Sequence, residues 1–234
     1  MAAFAMPRQA LAELKVGIET LYLSGTHYET HARVHDQLVA PVFHLNAGGS
    51  RVQFVSEGVP LIATARSGNF PSAPATTNLG FVNGSIIVAV DRKARMWLGV
   101  GGVVINQQTQ LAPSGDIFEY LTESSRISGV GYETQLRLPT GQNTVVLDAR
   151  AVPNLHGTVF LSDCGLCFLK EASAAERGAM SDVSALFEIS RGRSTWDFGV
   201  RTINYSAIFT QGRTLADRNV GGGITIRYYY TIGR

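Results

Sequence analysis

The chain has 234 residues, 45% of them hydrophobic and only 16% charged, against roughly 25% charged in ordinary soluble domains. Its formal net charge of +2 at pH 7 argues against the strongly basic groove of a nucleic-acid-binding protein. No apolar run approaches the ~20 residues of a membrane helix, and the longest, LGVGGVVI from Leu98 to Ile105, is broken by glycines.

The beginning, MAAFAMPRQALAEL, lacks a basic region followed by a long apolar run, so it does not read as an intact signal peptide. Within it PRQALAEL has a short helical pattern, and KEASAAERGAM further along has another. Elsewhere the dominant signal is alternation with period two, which marks half-buried strands. It predicts ten strands, at roughly 14–25, 38–47, 50–66, 77–91, 95–108, 124–138, 143–163, 181–191, 194–210 and 218–232. In VGYETQLRL one face carries Val130, Tyr132, Thr134, Leu136 and Leu138, and the other carries Glu133 and Arg137. TVVLDARA sets Val145, Leu147 and Ala149 against Asp148 and Arg150, and TWDFGVR sets Trp196, Phe198 and Val200 against Asp197 and Arg201. The closing strand places Ile224, Ile226, Tyr228 and Tyr230 opposite Arg227 and Tyr229.

The connections alternate. NAGGS, DRKA, PTGQN and SRGRS are tight hairpins rich in turn residues. Between them fall the longer stretches THYETHARVHDQ, RSGNFPSAPAT, NQQTQLAPSGDIFEYLTES, DCGLCFLKEASAAERGAM and TQGRTLAD. A meander with this rhythm collects its short turns at one end and its long loops at the other. With these alternating segments, this loop rhythm and the final NVGGGITIRYYYTI, the chain resembles bacterial outer-membrane β-barrel proteins over nearly its whole length. The resemblance implies an all-β, up-and-down antiparallel transmembrane barrel over residues 1–234. Residues 1–13 precede the first strand, and the periplasmic end carries the short turns. Proteins of this kind commonly finish on an aromatic residue, whereas this chain ends on Arg234.

A soluble antiparallel barrel holding a small apolar ligand would show the same alternation with the faces exchanged. Three features favour lipid outside. The polar face carries both signs of charge, in Glu133, Arg137, Asp148, Arg150, Asp197, Arg201 and Arg227, which can pair inside a narrow lumen. Several polar-face positions are glycine, as at Gly129, Gly131 and Gly199, and aromatic residues lie near strand ends. Closure also removes the unpaired edges that lipid cannot solvate. Ten strands enclose a narrow interior, so the expectation is a filled lumen and not a wide porin-like diffusion channel.

Function is then expected in the outer loops, as adhesion, capture of a ligand or metal, or a structural role in the envelope. The partners expected are outer-membrane lipid and a small ligand or metal at those loops, without nucleic acid and without a cofactor. His27, His31 and His35 recur every fourth residue in HYETHARVHD and form a candidate metal set. Cys164 and Cys167 in DCGLCF form a C-x-x-C outside any βαβ setting, which reads as a local disulfide in an exported protein. G-x-S-x-G, H-E-x-x-H and P-loop motifs are all missing, so a non-enzyme is favoured. A hydrolase of the barrel rim stays open as an alternative, with His35, Asp36, Asp116, Asp163 and Asp217 on the loop side.

Overall fold

The computed structural model describes residues 13–29, 32–59, 64–67, 75–111, 120–165, 168–211 and 213–232. They form β1 (Glu13–Glu29), β2 (Ala32–Gly48), β3 (Val52–Val59), β4 (Thr64–Ser67), β5 (Ala75–Ala89) and β6 (Met96–Leu111). The second half adds β7 (Tyr120–Thr140), β8 (Asn143–Gly165), β9 (Phe168–Arg191), β10 (Ser194–Gln211) and β11 (Arg213–Ile232). β3 and β4 pair with successive lengths of β5, Val59 facing Phe81 and Thr64 facing Asn78, so together they make one stave. Every stave is antiparallel to its sequence neighbours, and pairing of β1 with β11, Leu14 opposite Ile232, closes a ten-stave barrel.

The short turns fall where their residues predict. Gly141 and Gly192 lead two-residue hairpins with φ of 64° and 61°, a region that glycine enters without steric cost. In the turn after β5, the Asp91 carboxylate accepts hydrogen bonds from the backbone N–H groups of Lys93, Arg95 and Met96. Those donors hold its pKa below the ordinary carboxylate value, the Met96 N–H contributing most.

At the other end the strands run further than alternation suggests. KEASAAERGAM is not a helix: it lies within β9, paired with β8 on one side and β10 on the other. Backbone pairing with β8, joined from Glu176 onward by pairing with β10, outweighs the weak helical preference of its alanines. Likewise much of THYETHARVHDQ and TQGRTLAD is paired strand, in the β1–β2 and β10–β11 hairpins. Of PRQALAEL, only Glu13 and Leu14 are described, and they begin β1.

The two faces of the wall are inverted relative to a soluble barrel. Val130, Ile224 and Tyr132 point outward, 67%, 68% and 69% exposed. Leu136, Ile226, Val200, Val183 and Ile86 are also exposed on the outer face, whereas Glu19, Glu133 and Arg201 are buried inside. On β7 the outward residues stay mainly apolar from Leu138 to Val130. That is about 27 Å of strand, or roughly 20 Å of height at a tilt near 40°. Trp196 packs on Tyr228 with ring centroids 4.7 Å apart near the short-turn end, and Tyr230 lies exposed beside them. Such rings suit a membrane–water interface.

Candidate functional site: the sealed lumen

Inward-facing side chains form layers along the barrel axis. Nearest the short turns is a cavity of about 630 Å³, lined among others by Lys15, Asn46, Gln53, Asp148, Asp197 and Tyr229. The Arg137 guanidinium donates to both carboxylate oxygens of Glu188 at 2.6 Å on the wall of this vestibule.

Beneath the vestibule lies a belt of buried ions. Arg201 is 1% exposed and donates from Nε to Asp182 Oδ1 at 2.9 Å, from Nη1 to Glu19 Oε2 at 2.9 Å and from Nη2 to Glu57 Oε1 at 2.6 Å. Arg150 bridges Glu57 and Glu133 at 2.9 Å each. Arg227 Nε lies 3.0 Å from Glu19 Oε2. His44 shares a 2.8 Å hydrogen bond with Glu19, its other ring nitrogen 3.6 Å from Glu57. Asn83 donates to Glu57, Ser85 to Glu133 and Thr225 to Glu19. Every stave contributes except β6, which presents Gly99 and Gly101 at this height. A Cβ on Gly101 would lie 2.5 Å from the Ser85 side chain.

Gly17 has a related role. It stands between Tyr229 of β11 and His44 of β2, and a Cβ there would collide with the Tyr229 ring. The bare backbone lets the two rings meet edge-on, with centroids 5.5 Å apart.

Beyond the belt the lumen turns apolar. Leu21, Val42, Val59, Phe81, Val103, Ile105, Ile127, Val152, Leu155, Met180, Tyr205 and Ala207 pack into one cluster. Further toward the long-loop end Ser125 and Tyr205 donate to the buried Glu176. Belt and cluster both pack side chains into the bore. Glu19, His44 and Glu57 also bring donor atoms together in the manner of a metal site, but Arg201 and Arg227 already supply positive charge to Glu19, and Arg201 supplies it to Glu57.

Of the polar residues singled out by alternation, Glu133, Arg150, Arg201 and Arg227 lie in the belt, and Arg137, Asp148 and Asp197 line the vestibule. Alternation did not single out Glu19, Glu57, Asn83 or Asp182. On the hairpin that carries the histidines, His27 pairs with Val34 and His35 with Thr26. His31 and Cys167 lie outside the described residues, as do the side chains of His27, His35 and Cys164. Asp116 lies outside them too, with the side chains of Asp36, Asp163 and Asp217. Among the described side chains, the carboxylate contacts made by histidine are those of His44, sealed in the lumen.

With lipid-compatible residues outside, paired charges inside and a wall closed by the β1–β11 pairing, the chain is a membrane-spanning β-barrel of the bacterial outer-membrane type. No family model matches the chain, and no curated protein matches it in sequence. Among solved structures it is similar to the outer membrane protease OmpT from Escherichia coli, at 7% identity and a TM-score of 0.61, over 99% of this chain and 100% of that one. It is also similar to the translocator domain of the autotransporter NalP from Neisseria meningitidis, at 12% identity and a TM-score of 0.50, over 97% of this chain and 90% of that one. Both likenesses are of fold.

Proposed function

We propose that the protein is a non-conducting outer-membrane anchor that works through its long-loop end, in adhesion, capture of a ligand or metal, or envelope architecture. The observation that carries this reading is the doubly filled lumen, an ion-paired belt followed by an apolar cluster. A bore closed by both leaves the interior no path for a solute, so recognition falls to the ends. Although OmpT is a protease, a fold hosts unrelated functions, and the described residues place no histidine beside an acid at the loop end.

The test is electrical. The purified barrel, inserted in a planar bilayer in 1 M KCl, is expected to give no stable channel steps, and regular steps from the unmodified protein would overturn the reading. In the same preparation the metal role is checked by zinc titration. Binding that disappears in His31→Ala supports capture at the first hairpin, and zinc binding that is absent or unchanged removes it.

A further inference from the structure

The outer wall carries one patch that the anchor reading does not use. On β8 two residues, Pro153 and Asn154, face outward in succession, and the register shifts between Val152 and Leu155 against β9 and between Ala151 and Asn154 against β7. This is a β-bulge, with proline where a missing N–H costs least. It re-phases the strand so that Leu155 turns into the lumen and His156 turns out. His156 lies directly opposite Ser128 of β7 and Arg177 of β9, and Arg126 lies opposite Thr158 on the next outward rung.

Arg126, Ser128, His156 and Arg177 are all exposed. Arg126 and Arg177 flank β8 from β7 and β9, about 10 Å apart across the sheet and offset by two residues along it, a span that two extended arginine side chains can close on one anion beside an imidazole and two hydroxyls. No outward-facing carboxylate is present among the described side chains of β7 to β10 on the loop side of Val130. Among the described side chains, no carboxylate on this face offsets that charge. Immediately below lie the apolar outward residues Val130, Tyr132 and Val183. A cationic cluster directly above an apolar wall matches an amphiphile with an anionic head and hydrocarbon tails.

The geometry points to a binding site on the outer wall, made by Arg126, His156 and Arg177 with Ser128 and Thr158, for the phosphate of an outer-leaflet lipid. Arginine suits this ligand because its planar fork meets phosphate oxygens two at a time. The acyl chains would lie along Val130 and Tyr132. The cations of the short turns, Arg92, Lys93 and Arg95, differ in kind: they sit on a turn tip beside the Asp91 carboxylate.

The test uses the full chain, refolded in non-ionic detergent and offered equal amounts of phosphatidic acid and phosphatidylcholine, with bound lipid counted by native mass spectrometry. The unmodified barrel should retain phosphatidic acid over phosphatidylcholine by about five-fold or more. Arg126→Ala with Arg177→Ala should bring the ratio to near one, whereas Arg126→Lys with Arg177→Lys should keep part of it. Arg92→Ala with Arg95→Ala should leave the preference intact. Retention of the folded, heat-shifted gel band by each variant separates loss of the site from loss of the fold.

A ratio near one for the unmodified barrel would overturn the proposal. So would a preference that survives in the alanine pair, or one that falls equally in the turn variant. Displacement of the lipid by 10 mM inorganic phosphate would assign the patch to free phosphate and reject the lipid. The inference rests on the membrane placement. A barrel soluble without detergent would refute that placement, whereas a detergent-bound barrel without headgroup preference would refute only the site.

Discussion

The belt and the apolar cluster pack the same bore by opposite physics. In the belt, each buried carboxylate meets a guanidinium or a donor hydrogen bond, and Arg201 alone serves Glu19, Glu57 and Asp182. Such a network is rigid and specific, but desolvation offsets much of its Coulomb energy. The cluster gains stability simply by excluding water, about 1.5–3 kcal/mol for each large side chain. The comparison teaches that the belt should be the more brittle seal, because losing one member strands several charges, whereas losing one apolar side chain leaves a hole.

Arg201→Ala is the largest expected perturbation. Removing it uncovers three carboxylates in a low-dielectric lumen and should cost about 4 kcal/mol. Urea titration, read by the shift between folded and unfolded gel bands, measures it, and a loss under about 1 kcal/mol would show that water solvates the belt. Leu21→Ala in the cluster should cost about 3 kcal/mol in the same assay. If it costs more than Arg201→Ala, the ranking of the two seals is wrong.

The smallest effect lies outside both, at the Asp91 turn. Its carboxylate is stabilised in the folded state, so its folded pKa lies below its unfolded value near 4. The stabilisation is therefore complete above the unfolded pKa and is lost as pH falls through the folded pKa. The gap in unfolding midpoint between the native chain and Asp91→Asn should be present at pH 6 and should close in acid. A gap independent of pH would assign the turn's stability to backbone geometry alone.

The wall was legible in the sequence because its two faces differ. Tyr228 and Tyr230 share the outer apolar face with Ile224 and Ile226, Tyr228 half-covered by Trp196, while Tyr229 is buried beside Arg227. The belt was half legible. Glu133, Arg150 and Arg201 stand in strands with regular polar alternates, whereas Glu19 and Glu57 meet Arg201 and Arg150 on strands far away in sequence. Nothing local reports a contact between residues 144 apart, such as Glu57 and Arg201.

The apolar cluster was hidden by the alternation itself. Val103 and Val104 are neighbours on opposite faces, as are Ala151 and Val152, and a strand apolar on both sides has no period to read. The bulge at Pro153–Asn154 then shifts the phase, so counting from Asp148 gives the wrong face for His156. The paired arms at the loop end escaped for a related reason: the alanines of residues 170–180 fit a helix locally, and only pairing with a neighbouring strand, β8 or β10, makes them a strand.

The central claim is that the apolar face meets lipid and the polar face does not, and the chain's two tryptophans test it directly. Trp196 lies on the outer wall, 44% exposed, and Trp97 lies inside, 3% exposed. Single-tryptophan variants, made with Trp97→Phe or Trp196→Phe, can be reconstituted in vesicles of brominated phosphatidylcholine and their fluorescence compared with that in unbrominated lipid. The structure predicts strong quenching of Trp196 and little of Trp97. Equal quenching, or quenching of Trp97 alone, would contradict it.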